Sequence, residues 1–122
     1  MPPKKKIGPP AVTGLGVDLA EVARVRALAR RSPGFLARVF TSGELAYAAS
    51  SKNRFERLAA RFAVKEAVIK ALDARDLPLK NIEVENTASG RPQVTVKGRS
   101  VRLMVSISHT SKYACAAVIA FA

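Results

Sequence analysis

The stretch from Asn53 to Leu72 constrains the fold more than any other part of the chain. Phe55, Leu58, Ala59, Phe62, Ile69 and Leu72 recur at helical spacing, and neither Gly nor Pro interrupts them. The pattern predicts one long helix opening at Asn53 or Arg54 and closing at Leu72. A chain of 122 residues has room for a single modest core. One long helix in so small a domain must be the element on which the others pack.

The remaining segments supply those elements. Thr13–Leu19 alternates and reads as a short strand, with Leu15, Val17 and Leu19 on the core face and Gly16 and Asp18 on the other. Glu21–Arg31 has helical spacing and stops at Ser32-Pro33-Gly34; Phe35–Phe40 is a short apolar stretch. Thr41-Ser42-Gly43-Glu44 has the form of a capping box and opens a helix through about Ala49. Strands are predicted over Ile82–Glu85, Gln93–Lys97, Leu103–Ser108 and Tyr113–Phe121, with a turn at Ala88–Pro92. The expected fold is α+β: a small, mainly antiparallel sheet packed on one long central helix, as a single domain over residues 13–122. Residues 1–12 read as a basic, flexible tail.

Charge narrows the partners. Twenty-one Lys and Arg against nine Asp and Glu leave a net charge of +12, which favours polyanions. The basic residues are dispersed and no nucleic-acid-binding signature appears, so a nucleic-acid module is the alternative reading and no nucleic-acid partner is expected. No apolar run approaches the roughly 18 residues of a membrane span, and the opening residues make no convincing signal peptide, so neither membrane insertion nor export is expected. The lone Cys115 reads as a small core residue in a reducing, cytoplasmic setting.

Two carboxylates stand out. At about 100° per residue, Glu66 falls roughly 20° from Ala59 and 40° from Phe62, inside the apolar stripe. A carboxylate there must be paired, metal-bound or protonated. Lys70 lies on the same face four residues on, so a Glu66–Lys70 pair that merely holds the helix is one reading. Lys65, at the stripe's border, reads by itself as a snorkelling surface lysine. Asp18 is either a cap for the helix that follows or a second carboxylate meeting Glu66 at a hard cation. Magnesium takes one or two carboxylates and completes its octahedron with phosphate oxygens and water, which suits a basic chain that handles a polyphosphate.

Gly16-Val17-Asp18-Leu19, Arg61-Phe62-Ala63-Val64-Lys65-Glu66-Ala67-Val68-Ile69-Lys70, Gly90-Arg91-Pro92 and Ser106-Ile107-Ser108-His109 occur in this order. Together they resemble the holo-acyl-carrier-protein synthase family, the short, trimer-forming phosphopantetheinyl transferases, over Thr13–Ala120. The resemblance implies the 4′-phosphopantetheinyl transferase fold and transfer of phosphopantetheine from coenzyme A to a serine of an apo acyl carrier protein. It implies magnesium on Asp18 and Glu66, with catalytic roles for Glu66 and Lys70. It implies coenzyme A contacts from Lys65, Lys70, Gly90, Arg91, Pro92, Ser108 and His109, at sites between the subunits of a homotrimer. The carrier serine would attack the β-phosphorus and adenosine 3′,5′-bisphosphate would leave. Either Glu66 or a metal-bound water it orients would take the serine proton. The sequence departs from the family between Lys97 and Met104, where a helix is expected and only Gly98–Leu103 stands.

Overall fold

The computed structural model describes residues 11–122. The predicted tail lies outside the described residues except at its end, where Val12 already opens the first strand. In chain order the elements are β1 (Val12–Glu21), α1 (Val22–Arg31), α2 (Phe35–Val39), α3 (Ser42–Ala49) and α4 (Arg54–Leu72). A 3₁₀ turn at Leu79–Asn81 leads into β2 (Ile82–Asn86), β3 (Pro92–Val96), β4 (Arg102–His109) and β5 (Tyr113–Phe121). The α+β expectation holds, with the strands divided between two antiparallel sheets: β1-β5-β4 and the β2-β3 hairpin. In the gap before β4 the chain makes only a tight turn, with Gly98 at φ 77° and an isolated bridge between Val96 and Arg99.

Local chemistry explains the element ends. Thr41 accepts from the Glu44 backbone at 3.2 Å while Glu44 accepts from the Thr41 backbone at 2.9 Å, so the expected capping box starts α3. α1 begins without a side-chain cap, its N-cap position held by Glu21, which leaves Asp18 in mid-strand and removes its capping role.

The faces of β1 are the reverse of the sequence reading. Leu15, Val17 and Leu19 are 64%, 51% and 63% exposed, whereas Gly16 and Ala20 are buried against α4. Volume decides this. A Cβ on Gly14 would sit 1.7 Å from the Ala71 carbonyl oxygen, and one on Gly16 1.9 Å from that of Ala67. Backbone lies directly on backbone here, so only the glycine face can turn inward. Asp18, in phase with Gly16, therefore faces the helix side. Cys115, opposite Leu19 and Ser108, lies with them on the outer face and is only partly buried, not in the core.

The same packing corrects the stripe of α4. Ala60, Ala63, Val64, Ala67, Val68 and Ala71 are buried with Leu58 and Ala59, against inward-facing Ala114, Ala116 and Val118 of β5. Phe55, Phe62, Ile69 and Leu72 are only partly buried and flank that contact. A helix enclosed on several sides presents its small residues where neighbours approach closest, and a projection weighted by large side chains picks out the flank instead. Glu66 lies on that flank, half-buried and not in the densest packing.

Candidate active site

Asp18 from β1 and Glu66 from α4 line one cavity of about 320 Å³, together with Arg24, Phe62 and Tyr113. Strand alternation and the glycine contact bring them there. Gly16 seats β1 on Ala67, and Asp18 is the next inward residue. Burial is the main cause that raises the pKa of Glu66; the charge of Asp18 raises it further and that of Lys70 opposes both. Arg24 and Glu21 share the cavity and Lys70 meets Asp18, so Glu66 is the carboxylate of the pair with no ion-pair partner among the described residues, a condition that a bound cation would relieve. Among the described residues no cluster of three or more metal-ligating side chains exists. The donor set is therefore two carboxylates, which fits a magnesium ion that takes its other ligands from water and phosphate.

Lys70 does not pair with Glu66. Its ammonium donates to the Val17 carbonyl at 2.9 Å and lies 3.3 Å from Asp18 Oδ1, with 54% of the side chain exposed. It spans from helix to strand beside Asp18 and leaves Glu66 outside the lysine–carboxylate pairs among the described residues.

Lys65 is the largest departure from the sequence reading. It is not a surface lysine: its side chain is 0% exposed and pairs with the equally enclosed Glu44 at 2.7 Å. Burial lowers its pKa, and Glu44 opposes that shift. Lys65 is not among the residues that line the cavity of Asp18 and Glu66.

A second cavity, of about 540 Å³, collects Gly90, Arg91, Pro92 and His109. Gly90 holds φ 86° in the turn before β3, a conformation that favours glycine. His109 ends β4 with Nδ1 3.7 Å from Glu56 Oε1. Ser108 points to the outer sheet face with Cys115 and lines neither cavity. The two cavities share no lining residue.

This second cavity also contains groups that the sequence reading missed. Two guanidinium groups lie over the Tyr47 ring, Arg61 at 4.0 Å and Arg57 at 4.3 Å from its centroid. Arg61 Nε is the one buried side-chain nitrogen or oxygen among the described residues without a hydrogen-bond partner. A sequence signal existed: like charges at 57 and 61 on one helix face are unfavourable unless something is placed between or before them. With Arg91 they give this cavity a strongly basic lining suited to phosphate.

Comparison with known proteins identifies the family. A sequence model described as the 4′-phosphopantetheinyl transferase superfamily matches residues 14–118. A holo-[acyl-carrier-protein] synthase of Thermodesulfovibrio yellowstonii is 47% identical, covering 88% of this chain and 97% of that protein. Another from Solibacter usitatus is 38% identical over the same shares. Among solved structures, the holo-(acyl-carrier-protein) synthase of Bacillus anthracis, in complex with CoA (3′,5′-ADP), superposes with a TM-score of 0.80 at 30% identity, covering 90% of this chain and 96% of that one. The acyl carrier protein synthase of Mycobacterium tuberculosis gives 0.72 at 32% identity, covering 92% and 99%. By sequence, coverage and fold together, the chain belongs to the 4′-phosphopantetheinyl transferase superfamily, within its holo-[acyl-carrier-protein] synthases.

Proposed function

We propose that this protein moves the 4′-phosphopantetheine of coenzyme A onto a serine of an apo acyl carrier protein, with magnesium held by Asp18 and Glu66, as a cytoplasmic homotrimer. The observation that carries the reading is the meeting of Asp18 and Glu66, from a strand and a helix 48 positions apart in number (66 − 18), on one cavity beside Lys70.

Each residue has a task. Asp18 and Glu66 would hold the ion, and a bound magnesium would neutralise charge developing on the pyrophosphate. Lys70 is exposed at the rim, free to exchange its strand carbonyl for a phosphate oxygen. Glu66, from its place in the cavity with Asp18, would take the proton of the attacking serine, directly or through one water. The basic cavity of Gly90–Pro92, His109, Arg57 and Arg61 binds the adenosine bisphosphate portion.

The trimer accounts for two features that a single chain leaves unexplained. The two halves of the site lie in separate cavities, so one protomer's nucleotide cavity can serve its neighbour's carboxylates. Leu15, Val17, Leu19 and Met104 also leave the outer face of the β1-β5-β4 sheet apolar and exposed, as a contact surface would be.

Thermal stabilisation provides the test. Coenzyme A with magnesium is expected to raise the melting temperature at physiological salt, more than either does alone, while a DNA duplex or heparin has an effect that salt abolishes. Salt-resistant stabilisation by DNA with none by coenzyme A would favour the nucleic-acid reading instead.

A further inference from the structure

Lys65 adjoins Glu66 in the chain and points to another side of α4. An ammonium has three donors, and three acceptors surround this one: Glu44 Oε1 at 2.7 Å, the Leu79 carbonyl at 3.0 Å and the Ile82 carbonyl. No donor remains for a ligand. Both oxygens of the Glu44 carboxylate are also engaged. Its Oε1 accepts from the Thr41 backbone at 2.9 Å as well, and its Oε2 from the Val84 backbone at 2.8 Å. The pair therefore joins α4 to α3 and to the start of β2.

On the β1 side the neighbouring residue, Ala67, has its carbonyl pressed against Gly16. The helix is thus held at 65 by the buried pair and at 67 by the strand, one residue either side of Glu66. Glu66 itself belongs to neither lysine–carboxylate pair among the described residues. Its direction comes from the backbone that carries it. A carboxylate about 6 Å from a helix axis moves by roughly 2 Å when the helix rolls by about 20°, more than the strict octahedral geometry of magnesium tolerates.

We propose that Lys65 is a positioning residue: paired with Glu44, it fixes the roll of α4 and so aims the Glu66 carboxylate at the cation site it shares with Asp18, and it gives no donor to coenzyme A. The inference rests on the reading of Asp18 and Glu66 as metal ligands.

The test uses two variants of the full chain. Glu44→Gln/Lys65→Met removes both buried charges together, so neither ion is left unpaired. Glu44→Asp keeps both charges and draws the carboxylate back by one methylene. Three quantities are read on folded protein: Mn²⁺ affinity by electron paramagnetic resonance with coenzyme A present, coenzyme A affinity by calorimetry in chelator, and kcat at saturating metal. The expected result is an Mn²⁺ affinity weaker by about 10-fold or more in the double variant and by a smaller factor in Glu44→Asp, with a lower kcat. Metal-free coenzyme A affinity is expected to stay within about 2-fold, since a buried residue with no free donor is not a ligand contact. Unchanged Mn²⁺ affinity in either folded variant overturns the proposal. So does a large loss of metal-free coenzyme A affinity, which would make Lys65 a ligand contact, or failure of both variants to fold, which would make the pair a requirement of folding alone. Asp18→Asn and Glu66→Gln are measured alongside. If they bind Mn²⁺ as wild type does, the metal-site reading has failed and takes the proposal with it; if they lose the ion while the double variant keeps it, only the positioning role has failed.

Discussion

Gly16→Ala perturbs this protein where strand, helix and site meet. The added Cβ would lie 1.9 Å from the Ala67 carbonyl oxygen and 2.9 Å from the Ala71 backbone nitrogen. An ordinary carbon–oxygen contact needs about 3.3 Å, so β1 and α4 must part by roughly 1.4 Å. Both contacts are backbone, and no rotamer change relieves them. Overpacking of a tight core costs about 1–3 kcal/mol and more where nothing yields, so a loss of roughly 3–4 kcal/mol is expected. At about 4 °C per kcal/mol for a domain of this size, the melting temperature should fall on the order of 12–16 °C. The site moves as well. Asp18 is the next inward residue, and a displacement of about 1 Å can cost on the order of 10²-fold in rate. Calorimetry and kcat/KM, each measured with magnesium present, read the two effects. Gly98→Ala is the control: Gly98 also has a special backbone, φ 77°, but nothing lies within 4 Å of its Cβ position. Strain there should cost only about 1 kcal/mol. If Gly16→Ala is no more damaging than Gly98→Ala in both stability and rate, the strand does not rest on the helix as described.

Three further outcomes are expected. Lys70→Ala should keep its melting temperature within a few degrees and lose about 2–4 kcal/mol of transition-state stabilisation in kcat/KM, whereas Lys65→Ala, which strands a buried Glu44, should lose about 3–5 kcal/mol of folding stability; equal damage by the same route would contradict the separation of the two lysines. In metal-free protein the raised pKa of Glu66 means that its favourable contribution is fully present below the unfolded value of about 4.3 and disappears as pH rises through the folded value. Glu66→Gln should therefore melt higher than wild type near neutrality in chelator, with the gap closing on acidification below about pH 4; a gap of opposite sign would refute the cost of burying the Glu66 charge beside Asp18. In the proposed trimer Val17 lies on the exposed sheet face, so Val17→Asp should sediment as a monomer and abolish transfer, while wild type sediments as a trimer; a variant that sediments as wild type does would remove that face from the assembly.

The helix pattern and the capping box made most of the secondary structure legible, because period and cap chemistry are local. α4 at Arg54–Leu72 and the start of α3 at Ser42 follow from residues within a few positions of each other. What failed depended on partners distant in sequence. Leu15, Val17 and Leu19 look like a core face until Gly14 and Gly16 are seen touching the carbonyls of Ala71 and Ala67. Alternation identifies two faces; only close approach, or a surface waiting for a second copy, says which is buried within one chain. Lys65 was misread for the same reason. Its acceptors lie on Glu44, Leu79 and Ile82, and nothing at position 65 alone announces a buried ion pair. Asp18 and Glu66 were legible because a carboxylate in an apolar context requires a reason wherever it sits, even though the faces assigned to both needed revision.

The most direct measurement is the intact mass of an apo acyl carrier protein after incubation with coenzyme A and this protein. With magnesium and wild-type enzyme, the carrier is expected to gain one phosphopantetheine on a serine as adenosine 3′,5′-bisphosphate appears in equal amount. Chelation, Asp18→Asn or Glu66→Gln should each stop the gain while the protein stays folded. A carrier that never gains mass, or that gains it equally in chelator and with both carboxylates replaced, would contradict the account.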